Sequence, residues 1–345
     1  MPPDLDARAA SAASARAGKA PRRRWLARTL AVTFGLLPAV VAAELLARIL
    51  PAGSAGGAET AFDRGHLMHP RRGFFLLDGE EGYRPAPGHP AFAHHGALKN
   101  EYPLARTGGV PRVLCMGDSV TYRAFIVNGL AARAPHVEWW NAGVEGWNTR
   151  QQAAYLERIC DGIQPDFVVV FLHLNDFEIT PVRFVDDEGR FIEFRPSHPR
   201  ELARFWFVRS ALYRRWVGWT ERPAVEQDLA AEVFANLARM RAHSAAHNAR
   251  FAVVMLPPFA APGELPQLYA EISAARTRNA LAWLMSAGIP HFELASAVAG
   301  AAATGLPVGE TPGDVLHPSP AAGDACAESL IQTGLLELLP APKPR

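Results

Sequence analysis

A serine at the end of an apolar run is the first residue of this chain that could act as a nucleophile. The run Val113-Leu114-Cys115-Met116 ends in Gly117-Asp118-Ser119, where the glycine permits a sharp turn. The length of the run predicts a buried parallel strand, and chemistry in open parallel sheets gathers at the carboxyl ends of strands. Ser119 could equally be a helix N-cap, because serine and aspartate are favoured there. A nucleophilic role needs a base, an orienting acid and oxyanion donors elsewhere in the chain.

Three later stretches could supply those groups. Gly143 follows the second predicted strand, where a glycine lets a backbone N–H point at a bound oxygen. Asn175 follows the third strand and carries an amide donor. Asp314 lies three residues before His317, so its carboxylate can reach the Nδ1–H and leave Nε2 free as a base. Each pattern alone fits a turn, a strand end or a surface pair, but in a parallel sheet all of them converge on one edge.

Alternating strands and helices are predicted to position these residues. The strands are expected near 112–116, 137–140, 166–172, 251–256 and 290–294, with helices near 117–134, 149–161, 225–247, 264–286 and 320–339. Such alternation implies right-handed crossovers within one sheet. The predicted fold class is α/β, a three-layer α/β/α sandwich with a five-stranded parallel, flavodoxin-like sheet.

The motifs resemble those of the SGNH hydrolases, also called GDSL-type esterases and lipases. They stand here as Gly117-Asp118-Ser119, Asn141-Ala142-Gly143, Asn175-Asp176 and Asp314 with His317, within about residues 100–339. The resemblance implies Ser119 as nucleophile, His317 as base and Asp314 as orienting acid. It also implies an oxyanion hole formed by the Ser119 N–H, the Gly143 N–H and the Asn175 side chain. Acyl transfer of this kind requires neither a metal nor an organic cofactor.

One position departs from the family pattern. Where the family often has glycine two residues before the asparagine of the third motif, this chain has His173, which could narrow the site or donate a hydrogen bond. His173, Trp147 and Trp206 are predicted to contact the substrate. Asp118 is expected to brace the turn, since the orienting acid is assigned to Asp314.

The N-terminus predicts a membrane-anchored member of the family. Residues 1–28 are expected to form a basic, disordered tail, and residues 29–50 a transmembrane signal anchor. The uncharged core is short, so spanning would rely on snorkelling by Arg28 and Arg48. The expected localisation is a single-pass anchor with the N-terminus cytoplasmic and the catalytic domain extracytoplasmic. The alternatives are secretion after cleavage and a buried helix of a globular domain.

The remaining chain is divided into three parts. Residues 51–110 are predicted to be a linker and irregular lead-in, and residues 111–345 the hydrolase domain, with an insertion at 177–220. The insertion predicts a hairpin turning at Glu188-Gly189, followed by a basic, aromatic amphipathic segment at 201–219. That segment could pack on the core, cover an acyl-binding groove or contact a membrane surface.

Charge and cysteine content exclude several classes of protein. The net charge of +1 combines a basic N-terminus with a slightly acidic remainder, which argues against a nucleic-acid partner. Three cysteines lie far apart without the spacing of metal ligands or of a disulfide framework. Four histidines of the lead-in have no accompanying ligand pattern and are expected on a solvated surface. They are His66, His69, His94 and His95.

The sequence thus supports an esterase that acts on acyl esters of carbohydrate or lipid. The leading hypothesis is removal of O-acyl groups from an envelope carbohydrate by a membrane-anchored enzyme. A lipase or thioesterase that uses the aromatic segment as an acyl groove is the second hypothesis. The third is a non-catalytic envelope binding module on the same fold, although such a module has no need of Ser119, Asp314 and His317 together.

Overall fold

A computed structural model describes most of the chain. The described residues are 20–50, 75–78, 82–86, 88–92, 102–178, 182–185, 191–194, 206, 209–220, 229–261 and 263–340. The chain divides into two compact units, one formed by residues 1–55 and 200–219 and the other by residues 56–199 and 220–345. The histidines of the lead-in, the linker at 51–58 and the hairpin turn at Glu188-Gly189 lie outside the described residues.

Nine strands and nine α-helices are described. The strands are β1 Phe75–Asp78, β2 Gly82–Pro85, β3 Arg112–Gly117, β4 Glu138–Gly143, β5 Phe167–Leu172, β6 Val182–Val185, β7 Phe191–Phe194, β8 Arg250–Met255 and β9 His291–Glu293. The helices are α1 Ala20–Ile49, α2 Ser119–Tyr122, α3 Phe125–Arg133, α4 Thr149–Ile163, α5 Ala211–Thr220, α6 Ala230–Ala246, α7 Gln267–Ser286, α8 Ala295–Ala303 and α9 Pro320–Gln332.

The larger unit is built on a five-stranded parallel sheet, as the sequence predicts. The strand order is β4-β3-β5-β8-β9, and every neighbouring pair is parallel. In the β3–β4 register Cys115 is opposite Asn141, and in the β3–β5 register it is opposite Val169. Strands β3, β4 and β5 are buried along their whole length, which explains their nearly continuous apolar runs.

Helices cover both faces of this sheet. Successive strand residues point to opposite faces, so Leu114 and Met116 pack with residues of α4, α6 and α7, whereas Val113 and Cys115 pack with residues of α3, α8 and α9. The sheet is therefore the middle of three layers. This arrangement confirms the α/β/α sandwich and leaves the carboxyl ends of the strands open at one edge.

Several local predictions needed correction. The helix predicted directly after β3 is two helices, α2 and α3, because the backbone turns left-handed at Ala124 (φ 64°) between them. The last predicted helix ends at Gln332, and a short 3₁₀ turn, Leu335–Leu338, follows. The lead-in contains an antiparallel hairpin, β1–β2, and the insertion contains the predicted hairpin as β6–β7.

The smaller unit contains α1 and α5. Glu44 of α1 accepts hydrogen bonds from the Ser210 hydroxyl at 2.7 Å, the Ala211 N–H at 2.8 Å and the Leu212 N–H at 3.0 Å. The carboxylate thereby satisfies N–H groups that the first turn of α5 leaves without an intrahelical acceptor. Burial raises the pKa of Glu44, but the hydrogen bonds from these groups and from Arg48 outweigh burial and bring the pKa to about 2.

The expectation of a transmembrane helix at residues 29–50 is wrong. Among the helices that the structure describes, none combines the length and apolar character needed to cross a membrane. The uncharged stretch 29–43 spans about 22 Å at 1.5 Å per residue, whereas a bilayer's hydrocarbon core is about 30 Å thick. Glu44, which directly follows this stretch, caps α5. The signal anchor, the membrane partner and the membrane-anchored localisation are corrected with it.

Candidate active site

A hydrogen-bonded relay joins the serine, histidine and aspartate that the sequence singles out. The distance between His317 Nε2 and Ser119 Oγ is 2.9 Å, and that between His317 Nδ1 and Asp314 Oδ2 is also 2.9 Å. Ser119 is the first residue of α2, directly after β3, and His317 lies on the loop before α9. Ser119 is 7% exposed, so its side chain is almost enclosed by the surrounding residues.

Asp314 can only accept hydrogen bonds, and this fixes the protonation of the histidine ring. Its Oδ2 accepts from the Nδ1–H of His317, so Nε2 is the nitrogen that accepts the Ser119 hydroxyl. Its Oδ1 accepts the backbone N–H groups of Leu316 and His317 at 2.9 and 3.1 Å. Burial raises the pKa of Asp314, but these hydrogen bonds together lower it below the ordinary range, so the orienting carboxylate is ionised at neutral pH.

Asp118 braces the turn, as expected. Its Oδ1 accepts the backbone N–H of Val120 at 2.9 Å, which caps the first turn of α2 and holds Ser119 at the start of that helix. The carboxylate is fully buried, and its Oδ2 has no hydrogen-bond partner among the described residues. The His173 Nδ1 is 3.9 Å from Oδ2.

The position of Gly143 leaves no room for a side chain. A Cβ atom there would collide with the backbone of Thr121 and Tyr122, so α2 approaches β4 at backbone distance. Its N–H already donates to the Asn141 side-chain oxygen at 2.9 Å, while the Asn141 amide donates to the Thr121 carbonyl at 2.6 Å. The Gly143 N–H, which was expected to bind the oxyanion, is therefore already hydrogen-bonded to the Asn141 side chain. Gly146, in the same loop, has left-handed backbone (φ 76°).

Asn175 lies just after β5, and its orientation is set by His173. The Nδ1–H of His173 donates to the Asn175 side-chain oxygen at 3.0 Å, which turns the Asn175 amide nitrogen away from the histidine. His173 is only 2% exposed and stacks on Phe259 with ring centroids 6.2 Å apart. Burial lowers the pKa of His173, against the opposing charge of Asp118 and the Asn175 hydrogen bond. The predicted substrate contact of His173 is thus a buried contact with Asn175.

A second buried carboxylate of this region is that of Asp176, the residue after Asn175. Asp176 accepts the His173 backbone N–H at 2.7 Å and the Gln152 side-chain amide at 2.8 Å. Burial raises its pKa well above the ordinary range, and the charge of Asp118 adds to the increase. The sequence signal was the pair Asn175-Asp176 itself, because an acid directly after a buried strand must find partners or stay protonated.

The two tryptophans assigned to substrate contact occupy different environments. Trp147 is fully buried, packs edge-to-face on Tyr155 at 5.0 Å and donates its indole N–H to the Tyr83 carbonyl at 3.2 Å. That is the environment of a core residue. Trp206 belongs to the smaller unit and is 51% exposed, and its contact with substrate stays a prediction.

A carboxylate beside the relay gives this edge a second acid. Glu310, Asp314 and His317 each have a potential ligand atom within 4.8 Å of the others. Glu310 also lies 3.4 Å from the Arg123 guanidinium, and Asp314 and His317 are hydrogen-bonded to each other. The relay hydrogen bonds involve Asp314 and His317 but not Glu310, so Glu310 is a neighbouring acid outside the relay.

Solved structures of low sequence identity match about two thirds of this chain. A solved alpha/beta hydrolase enzyme from the metagenome of Lake Arreo is 17% identical, with a TM-score of 0.45, and the match covers 67% of this chain and 98% of that chain. An acetylxylan esterase from Geobacillus stearothermophilus is 15% identical, with a TM-score of 0.43 and coverage of 65% and 94%. A lipolytic G-D-S-L protein from Veillonella parvula is 13% identical, with a TM-score of 0.40 and coverage of 65% and 97%.

A search of curated protein sequences gave no match. The model of the GDSL-like lipase/acylhydrolase family matches residues 109–325, which is more than half of the chain. The matched range begins just before β3 and includes Ser119, Asn175, Asp314 and His317. The chain therefore belongs to the GDSL-like lipase/acylhydrolase (SGNH) family of hydrolases.

Proposed function

We propose that this protein is a serine esterase that hydrolyses acyl esters through Ser119, His317 and Asp314. The observation that carries the proposal is the continuous relay from Asp314 through His317 to Ser119, with 2.9 Å at both hydrogen bonds. A nucleophile, a base and an orienting acid at these separations match the requirements of acyl transfer. Residues 111–345 are proposed as the hydrolase domain, with 177–220 as an insertion.

The reaction proceeds in two steps. His317 Nε2 takes the Ser119 proton as the serine oxygen forms a bond to the ester carbonyl carbon. The tetrahedral intermediate collapses, the carbon–oxygen bond to the alcohol breaks, and the imidazolium returns its proton to the leaving alcohol. Water, deprotonated by His317, then attacks the acyl-enzyme, and the acid is released with Ser119 regenerated. Asp314 stabilises the imidazolium without taking its proton.

The oxyanion is proposed to be bound by three donors. The Ser119 N–H lies at the start of α2, and the Asn175 amide nitrogen is directed by His173. Because the Gly143 N–H donates to Asn141, we assign the loop donor to Gly146, whose N–H has no acceptor among the described residues. Donors that are fixed before the reaction stabilise the developing charge without reorganisation.

His173 acts as a positioning residue in this proposal. It holds the Asn175 oxygen and thereby presents the amide nitrogen as a donor. Its ring is buried and stacked on Phe259, so its own orientation is restricted. His173, which stands where the family often has glycine, would thus orient the amide donor of Asn175.

Hydrolysis of p-nitrophenyl acetate by the full chain tests the proposal. Ser119→Ala is expected to lower kcat by about 10⁶-fold, whereas Ser286→Ala, an exposed serine at the end of α7, is expected to leave it unchanged. Wild-type protein should also show a pre-steady-state burst of p-nitrophenol, because the acyl-enzyme accumulates. Activity that survives Ser119→Ala would contradict the nucleophile assignment.

A panel of acyl esters of sugars, glycerol and thiols, with acyl chains of increasing length, identifies the substrate class. Preference for short acyl chains on sugars supports the carbohydrate esterase, and preference for long chains or thioesters supports the lipase or thioesterase. Equal inactivity of wild type and Ser119→Ala across the panel would favour a binding module.

A further inference from the structure

A cysteine and two histidines lie together in the larger unit, away from the relay. Cys160 is in the last turns of α4, His243 is in the last turn of α6, and His247 directly follows α6. The Cys160 sulfur and one ring nitrogen of each histidine all lie within 4.8 Å of one another. The two histidines are one helical turn apart, so both rings project from the same side of the helix, with centroids 4.3 Å apart.

The hydrogen bonds of His247 leave one of its nitrogens facing an anion. Its Nδ1 lies 2.8 Å from the His243 carbonyl, which only accepts, so Nδ1 carries a proton. Its Nε2 lies 3.0 Å from Asp161 Oδ1, which also only accepts. A neutral ring would direct a lone pair at that carboxylate, which is unfavourable unless a proton or a cation lies between the two atoms.

The other two groups of the cluster are a histidine with an unpartnered ring nitrogen and a thiol outside any disulfide. His243 Nε2 is buried and has no hydrogen-bond partner among the described residues. The Cys160 thiol is free and fully buried, and it contributes a soft sulfur to the same cluster. Buried polar atoms are normally hydrogen-bonded, so an orphan nitrogen facing other ligand atoms requires an explanation.

A cavity lies beside two members of the cluster, Cys160 and His247. Its volume is about 300 Å³, and its polar lining includes the Asp161 and Asp166 carboxylates. The one lining guanidinium, Arg106, is bound to Asp166 Oδ2 at 2.5 Å and to the Gln164 carbonyl at 2.7 Å. Its charge is therefore partly neutralised by contacts of its own. Both Cys160 and His247 line this cavity.

We propose that Cys160, His243 and His247 bind a divalent transition-metal ion of the Zn²⁺ class. Sulfur and imidazole ligands select such ions over Mg²⁺ and Ca²⁺, which prefer oxygen. On binding, the Cys160 thiol loses its proton to solvent, the thiolate and two neutral rings coordinate the ion, and water or the Asp161 carboxylate completes the tetrahedron. The ion would link α4 to the end of α6, at the edge of the sheet opposite Ser119.

Titration of the purified full chain with Co²⁺ tests the proposal, because a thiolate ligand gives Co²⁺ a sulfur-to-metal charge-transfer band. One equivalent is expected to produce this band together with the visible bands of a tetrahedral site, and Zn²⁺ is expected to remove both. Cys160→Ser should abolish the charge-transfer band, while Cys326→Ser, which alters another buried free thiol, should keep it. Wild-type protein without the band, or Cys160→Ser with it, would overturn the proposal.

Two further variants make the result independent of folding defects and of the relay. His247→Gln alters a half-buried residue and is expected to weaken Co²⁺ binding at least about tenfold, with unchanged circular dichroism. His317→Ala removes the base of the relay and is expected to keep the full Co²⁺ spectrum. Unweakened binding by His247→Gln, or loss of the spectrum in His317→Ala, would contradict the assignment.

Discussion

The two edges of the parallel sheet place reactive side chains in different ways. At the carboxyl edge, Ser119 lies two residues after β3 and Asn175 three residues after β5, so both lie at the ends of neighbouring strands. At the amino edge, Cys160 and His247 come from the ends of the helices that precede β5 and β8. Strand ends fix side chains through the sheet register, whereas helix ends meet only through packing.

Buried charge is also handled differently at the two edges. At the amino edge, the Arg112 guanidinium pairs with Glu138 at 2.5 Å and donates to carbonyls that include those of Leu104 and Ile163. At the carboxyl edge, Asp118 Oδ2 and His173 Nε2 are buried without hydrogen-bond partners among the described residues. Saturated pairing, as around Arg112, stabilises a fold, whereas unpaired polar atoms are tolerated where function requires them. The His243 Nε2 of the Cys160 cluster is such an unpaired atom at the amino edge.

The largest difference between the edges is expected from Asp314→Asn. The asparagine amide would donate where the carboxylate accepts, forcing His317 into the tautomer that cannot take the Ser119 proton. We expect kcat for p-nitrophenyl acetate to fall by about 10⁴-fold, with Co²⁺ binding at the amino edge unchanged. Glu310→Gln, which alters the neighbouring acid, serves as the matched control and should keep most of the activity. Similar losses in both variants would show that the orienting acid is misassigned.

Glu138→Gln is expected to have the converse effect, because it should lower the stability of the fold without changing kcat. Removing this charge leaves the Arg112 guanidinium buried beside a neutral partner, which should lower the free energy of unfolding by about 3–5 kcal/mol. The exposed Glu328, 3.5 Å from Arg133, offers the control, and Glu328→Gln should change the free energy by about 1 kcal/mol or less. Urea unfolding measures both, and kcat of the folded protein should stay at the wild-type value. A lowered kcat in folded Glu138→Gln would show that the ion pair at the amino edge affects the reaction at the carboxyl edge.

The same contrast explains which parts of the fold and site could be predicted from sequence. The parallel sheet was predictable because β5 is an unbroken apolar run, and the contact of Asp314 with His317 was predictable because His317 is the third residue after Asp314 in one loop. Local spacing determined these contacts. The cluster of Cys160 with His243 was not predictable from cysteine spacing, since packing of α4 against α6 brings together residues far apart in sequence.

Side-chain hydrogen bonds to nearby backbone groups were not predictable from the sequence patterns. Gly143 was assigned an oxyanion role from its place after β4, and the structure shows that its N–H donates to the Asn141 side chain two residues away. The anchor was inferred from an apolar run behind arginines, but none of the described helices is long and apolar enough to cross a membrane. Glu44, which follows that run, accepts N–H groups at the start of α5, a contact that hydrophobic periodicity does not reveal.

A smaller catalytic effect is expected from the oxyanion donor and its positioning residue. Asn175→Ala should lower kcat by about 10²–10³-fold, because the amide donor to the developing charge is lost. His173→Ala should lower kcat by less and leave KM near its wild-type value, because the donor remains but its orientation is no longer fixed. Steady-state kinetics on p-nitrophenyl acetate measures both. A His173→Ala variant with wild-type kcat would show that contacts other than His173 orient Asn175.

The smallest effect is expected from Asp176→Asn. This variant isolates the titration of Asp176, one of the buried acids at the carboxyl edge. Burial and the charge of Asp118 raise the pKa of Asp176, so the folded state holds this proton more tightly than the unfolded chain does. As pH rises above about 3.9, the unfolded chain ionises first. The free energy of unfolding should then fall by up to about 1.4 kcal/mol per pH unit until the folded pKa is reached.

Asparagine does not titrate, so Asp176→Asn should lack this decline even if its absolute stability is reduced by loss of the His173 N–H acceptor. Urea unfolding at a series of pH values above 4 measures the slope for the variant, for wild type and for Ser119→Ala. The last of these is inactive in the proposed mechanism but should keep the wild-type slope, which separates titration of Asp176 from loss of activity. Equal slopes in wild type and Asp176→Asn would mean that Asp176 is ionised in the folded protein. The unpaired Asp118 oxygen would then face a second negative charge across the buried edge.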